Sequence, residues 1–134
     1  MACRVPDDVW PFYSFYIQEK REKGWITEEE GGCLVWQGSR RGGSKRQRIV
    51  GGCPYGQMRV SWGEGSALVY VHQLAYAVHV GFVPGPPLQV SHLCHNCLCV
   101  NVAHLVAEEG SYNRGRMVCR EAGYCIGHQP PCLL

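Results

Sequence analysis

Val90-Ser-His92-Leu-Cys94-His95-Asn96-Cys97-Leu-Cys99-Val-Asn101-Val-Ala-His104, residues 90–104, is the stretch on which the fold turns. Four residues separate Cys94 from Cys99, and four more separate Cys99 from His104. A short loop between two thiolates brings both to one ion, and zinc completes a tetrahedron of sulfur and imidazole ligands. The fourth ligand must come from outside this run or from within it. Cys33 and Cys53 are the outside candidates, and Cys97 is the competitor inside the loop. His92 ends a short strand expected over Leu88–His92, two residues before Cys94. It is a ligand in place of His104, an ordinary surface histidine, or, held by the neighbouring loop, a free imidazole able to take a proton near neutral pH.

A second cluster lies downstream. Cys119-x5-Cys125-x2-His128-x3-Cys132 is a complete Cys3His set, able to bind zinc without help from the rest of the chain. Nine cysteines in 134 residues exceed ordinary usage, and the odd number would leave one thiol over from disulfide pairing. Imidazoles at ligand spacing have no place in a disulfide framework. The first ten residues carry Asp7 and Asp8 and no apolar run, so no signal peptide is expected, and no stretch is long and apolar enough for a membrane span. The thiols are therefore read as reduced and metal-bound in an intracellular protein, nuclear if the source is eukaryotic. The rival is a secreted disulfide domain. Two closed Cys3His sites would be structural, with no open position for an activated water.

The remaining pattern is that of one domain over 1–134, since neither half holds enough apolar residues to fold alone. Residues 1–32 form an N-terminal helical segment, with a helix over 7–24 on the spacing of Phe12, Phe15, Tyr16 and Glu19. Residues 33–80 hold a short strand at Cys33-Leu-Val-Trp36 and a basic loop. Strands over 56–62 and 67–71 follow, joined at Gly63-Glu-Gly65, and then a helix over Val71–Val80 stopped by Gly81. After the rigid turn Pro84-Gly-Pro-Pro87, residues 88–118 read as strand, Cys/His loop, a strand near His104–Ala107 and a helix over 108–118. Residues 119–132 are the C-terminal zinc loop.

The formal charge of +2 is too small to argue for a polyanionic partner, and zinc thiolate sites would lower it further. The distribution argues better. Arg40, Arg41, Lys45, Arg46 and Arg48 lie within ten residues that contain no acid, a footprint suited to phosphates. Asn113 falls on the last expected helix, where an amide oxygen suits a hard cation such as Mg²⁺.

The segment Val90–Asn96, continuing through Cys99-Val-Asn101 and His104-Leu105, resembles the His-Cys box homing endonucleases and the related HNH nucleases. Val71-His72-Gln73-Leu74-Ala75-Tyr76 and Gly81-x-Val-Pro84 are similar to the helix and turn before that box. Cys33-Leu-Val-Trp36 and Tyr55-Gly56 are similar to upstream elements, and Asn113-Arg-Gly-Arg116 with the second cluster follows in order. The likeness covers about residues 33–132. It implies an α+β fold: a small mixed domain with a ββα-metal nuclease core, two structural zinc sites and little hydrophobic core. It further implies a Mg²⁺-dependent DNA endonuclease with His92 as general base and Asn113 as the Mg²⁺ ligand. Cys33, Cys94, Cys99 and His104 would hold one zinc; Cys119, Cys125, His128 and Cys132 would hold the other. Arg59 on the hairpin is the candidate for an arginine near the scissile phosphate. The hairpin around 56–71 would enter the major groove of double-stranded DNA, with Arg40, Arg41, Lys45, Arg46, Arg48 and Arg59 as DNA contacts.

Two departures stand out. Asn101 is followed by Val102, where the family commonly has proline. The chain ends two residues after Cys132, so the C-terminal arm through which family dimers embrace is not expected; a homodimer and a nicking monomer both stay open. The competing function is a catalytically inactive zinc-stabilised module that binds DNA or protein.

Overall fold

The structure, a computed structural model, describes residues 5–40 and 55–133. Arg41, Lys45, Arg46, Arg48 and Cys53 lie outside the described residues. A 3-10 helix, Asp7–Tyr13, leads into α1, Tyr16–Glu22. Strands β1, Ile26–Glu28, and β2, Leu34–Trp36, pair antiparallel. Strands β3, Gln57–Trp62, and β4, Gly65–Tyr70, form a hairpin that runs directly into α2, Val71–Val80. Strand β5, Leu88–His92, pairs antiparallel with β6, Leu105–Glu109, and α3, Gly110–Ala122, follows without a break. The last three elements are the ββα unit of a small α+β fold.

Alternation explains the β3–β4 hairpin. Val60 and Val69 are buried on its inner face, while Arg59, Ser61, Ser66 and Leu68 are exposed on the outer one. Its turn is tighter than the sequence suggests. Trp62 pairs with Gly65, so only Gly63 and Glu64 lie between the strands.

Helix α2 divides the interior. Leu74 and Ala77 pack with Val5, Val9, Trp10, Val60 and Val69. Val71 and Ala75 pack with Ile26, Trp36, Val90, Val100 and Leu105. The second group carries β5, and so fixes the strand that ends in His92 against α2.

The N-terminal expectation needs correction. The helix over 7–24 is a 3-10 turn and a seven-residue α-helix, because Pro11 has no N–H to donate in a continuous α ladder. Phe12 and Phe15, on whose spacing that helix was read, are 86% and 81% exposed, whereas Val9 and Trp10 are buried.

Candidate metal centres and cleft

The first Cys/His group is assembled from two distant segments. Cys33 precedes β2, and Cys94, Cys99 and His104 lie between β5 and β6. Their ligand atoms all fall within 4.8 Å of one another. Backbone pairing brings them there: Trp36 N–H donates to Leu98 O at 2.9 Å, and Val100 N–H donates to Leu34 O at 2.8 Å. His104 Nδ1 is 3.6 Å from Cys33 Sγ and 3.6 Å from Cys99 Sγ. A zinc tetrahedron with ordinary bond lengths has sulfur-to-nitrogen edges of about 3.6 Å, so the donor set fits zinc. Asn101 ties the two segments: Oδ1 accepts from Ala103 N–H at 3.0 Å, and Nδ2 donates to Gly32 O at 2.8 Å. The Cys99 thiol is held down to about 5, chiefly by its hydrogen bond with Cys94.

The second group is local. Cys119 lies on α3, and Cys125, His128 and Cys132 lie on the turn after it. Their ligand atoms also fall within 4.8 Å of one another. His128 Nδ1 is 3.3 Å from Cys119 Sγ, 3.7 Å from Cys125 Sγ and 4.0 Å from Cys132 Sγ. Backbone N–H groups already point at the sulfurs, Ile126 at Cys119 and Cys132 at Cys125. The Cys132 N–H is the largest influence lowering Cys125 to about 5. At Gly115 a Cβ would come within 2.9 Å of His128 Nε2, so this turn of α3 must be bare for the loop to close on it.

Arg116 joins that loop to the ββα unit. It is 1% exposed and grips Glu108 of β6 through Nε at 2.6 Å and Nη2 at 2.8 Å. Its Nη1 donates to Cys132 Sγ at 3.2 Å, and Nη2 donates also to Pro130 O at 2.9 Å. One guanidinium therefore holds strand, helix and thiol loop in a fixed relation.

Between α2 and the ββα unit is a cleft of about 810 Å³ whose walls include Tyr55, Tyr70, His72, Gln89 and Asn113. Asn113 Nδ2 donates to Gln89 Oε1 at 3.0 Å. Its Oδ1 takes no hydrogen bond among the described residues, an open acceptor of the kind a hydrated divalent cation can use. His72 is 5% exposed, and its Nδ1 has no hydrogen-bond partner among the described residues. Its ring lies 4.6 Å from the ring of His92 and 5.0 Å from that of Tyr55. His92 is behind this wall, with its ring 6.1 Å from Tyr55. His92 Nε2 lies 3.0 Å from Cys99 O. A carbonyl only accepts, so Nε2 carries the proton and Nδ1 is the basic atom. Burial lowers His92 to about 4, against a smaller raising effect of the Cys99 carbonyl, so the ring is neutral near neutrality. Burial, and next the proximity of His92, depresses His72 well below the ordinary histidine range.

Each expected site residue can now be placed. Cys33 joins Cys94, Cys99 and His104, and Cys119, Cys125, His128 and Cys132 gather as a second set. His92 is in neither group. Asn113 lines the cleft. Arg59 does not: it is on the exposed hairpin face, donating to Ser66 Oγ at 3.0 Å. Arg40 is exposed beside the hairpin, in an isolated bridge with Gly56. Cys97 is disulfide-bonded. That corrects the expectation of wholly reduced thiols and removes Cys97 as a competitor for the first group.

His72, Gln89 and Arg116 escaped the reading of the sequence as site residues. His72 carried a signal, a lone imidazole in the first turn of an apolar helix. Gln89 carried none beyond its alternation with buried Val90.

Residues 69–113 match the family model described as HNH endonuclease. No curated protein and no solved structure matches the chain. The matched stretch runs from the end of β4 to Asn113 and contains His72, Gln89, His92, Cys94, Cys99 and His104. It is thus similar to a family of nucleases, over less than half of the chain. No helix among the described residues is long and apolar enough to cross a membrane.

Proposed function

We propose that the chain is one domain acting as a metal-dependent DNA endonuclease. It hydrolyses phosphodiester bonds with His92 as general base and Asn113 as ligand of a single Mg²⁺, and two structural Zn²⁺ ions hold the site. The observation that carries this reading is one cleft with Asn113 and His72 in its walls and His92 packed 4.6 Å behind His72, all within the segment similar to HNH endonucleases. Bound Mg²⁺ would supply Lewis-acid stabilisation of phosphate oxygens. Asn113 would hold it through Oδ1. His92 would take the proton of the attacking water on Nδ1, while the Cys99 carbonyl keeps Nε2 protonated and the ring fixed. The exposed hairpin face with Arg59, flanked by Arg40, would lie on double-stranded DNA, and the basic run through Arg48 would contact phosphates. One copy holds one such site and would nick one strand; cutting both strands would require a homodimer.

The test is nicking of supercoiled plasmid by zinc-loaded protein with Mg²⁺, with and without EDTA. Replacing a positioned base costs about 10²–10⁴-fold in rate. His92→Ala and Asn113→Ala should each lose activity on that scale while retaining zinc. Full activity in both variants would overturn the proposal, and DNA binding without cleavage under any divalent ion would favour the inactive zinc module. A second reading has its own support: His72, not His92, lines the cleft. If His72→Ala abolishes nicking and His92→Ala does not, His72 is the base.

A further inference from the structure

An amide can ligate a cation only through its oxygen, and the two branches of an asparagine amide are almost alike in shape. An Asn113 free to rotate would present Nδ2 to the cleft as readily as Oδ1. In the structure the choice is made by a neighbour. Asn113 Nδ2 donates to Gln89 Oε1 at 3.0 Å, which commits the nitrogen to the strand and leaves Oδ1 free.

Gln89 is well placed for this. It occupies β5, and alternation puts it on the face opposite the buried Val90, toward α3. Its strand partner is Glu108, the residue that Arg116 locks. The first residue of α3 is Gly110, where a Cβ would come within 3.2 Å of Gln89 Nε2 and 3.4 Å of Gln89 Cδ. Any larger residue would push against the Gln89 amide. Strand pairing fixes the backbone of Gln89, and the bare first turn of α3 leaves room for its side chain to reach Asn113.

We propose that Gln89 is a positioning residue that accepts from Asn113 Nδ2 and so turns Asn113 Oδ1 into the cleft to meet a divalent cation. The proposal rests on the reading of Asn113 given above. It makes the oxygen of Gln89, and not its size, the property that matters.

The experiment measures Mn²⁺ binding to the zinc-loaded chain by the loss of the free-ion signal in electron paramagnetic resonance. Mn²⁺ suits oxygen ligands and competes poorly for thiolate sites already holding zinc. Gln89→Met keeps the length and removes the acceptor, and losing one neutral hydrogen bond should weaken Mn²⁺ about five-fold. Gln89→Glu keeps an acceptor and should bind at least as tightly as the parent. Asn113→Asp presents oxygen on both branches, so nothing remains to orient. In that background Gln89→Met should change affinity by less than about two-fold. Equal losses in both backgrounds, or none in the Asn113 background, would overturn the role of Gln89. Asn113→Ala separates the two claims: if it leaves Mn²⁺ binding unchanged, the metal-ligand reading of Asn113 fails by itself.

Discussion

The two Cys/His groups share a ligand set and differ in almost everything else. The first takes Cys33 from one end of the chain and joins it to a loop beyond residue 90, so its assembly requires β2, the loop and β6 to be in place. The second lies within fourteen residues and hangs from α3. The loop closed by the first is long, and the chain entropy removed by cross-linking grows with loop length. A metal in the first group would therefore stabilise the whole fold, and one in the second would stabilise chiefly the end of a helix. The first group stands beside His92, and the second stands behind Asn113 through Arg116. Each proposed catalytic residue thus has its own anchor.

The largest expected effect breaks the first anchor. Cys33→Ser should remove one zinc per chain and destabilise the fold by several kcal/mol, a large part of the roughly 5–15 kcal/mol that holds a domain together. Mass spectrometry under native conditions would read the metal, and the melting transition would read the fold. A variant with one zinc and an unchanged transition would show that the first group is dispensable to folding.

Next comes the link between the groups. Arg116→Met leaves Glu108 buried without its partner, a change that ordinarily costs about 3–5 kcal/mol. Burial pushes the Glu108 carboxyl up, but Arg116 and, next, Ser91 together hold it below the usual carboxylate range. Double substitution of Arg116→Met with Glu108→Gln should recover part of the loss. No recovery would mean that the contact to Cys132, and not the ion pair, is what Arg116 contributes.

Breaking the second anchor should matter less to the fold. Cys125→Ser should release one zinc, fray α3 beyond Cys119 and cost about 2 kcal/mol in the whole-domain transition, within the ordinary range for a single substitution. Amide exchange should rise after residue 116 and stay low in β5 and the 94–104 loop. Exchange rising equally in both regions would erase the distinction between a global and a local metal site.

These differences also explain what could be read from the chain alone. Strand Leu88–His92 and helix Val71–Val80 were legible to the residue, because a β-rich run ends at a ligand loop and an apolar helix ends at Gly81, which has φ of +96°. The second ligand group, and Cys94, Cys99 and His104 of the first, were legible because spacing is a local property; spacing left Cys33 open against Cys53 and Cys97, and only the resemblance named it. Strand β1 was missed: Ile26-Thr-Glu28 is three residues long and buries only Ile26, so it carries no period to detect. The first stretch misled because Phe12 and Phe15 follow helical spacing yet face outward, while Val9 and Trp10 pack inward from a 3-10 turn. Within the candidate site, His92 and Asn113 were visible through the ligands and resemblance around them. Gln89, His72 and Arg116 were not, since each acquires its meaning from a contact across two elements that sequence distance does not reveal.

Acid offers the gentlest way to separate the two sides. His92 and His72 are both buried with lowered values, His92 at about 4. An unfolded histidine takes up its proton near 6.5. Between that point and the folded value the unfolded chain binds more protons than the folded one, so stability is complete above pH 6.5 and declines as pH falls. The decline stops only when the folded ring also protonates. From pH 6.5 to 5.5 each ring should therefore cost about 1 kcal/mol. His95, lowered by burial and then by the nearby Arg120, Arg116 and His128, adds to the loss in the same direction. Glu108 contributes nothing in this window, since its lowered carboxyl stays ionised there. Chemical denaturation of zinc-loaded protein at both pH values should show the loss, and His72→Gln should remove about 1 kcal/mol of it. An unchanged slope in that variant would mean that His72 is not held neutral by burial, and the pair beside the cleft would lose its electrostatic basis.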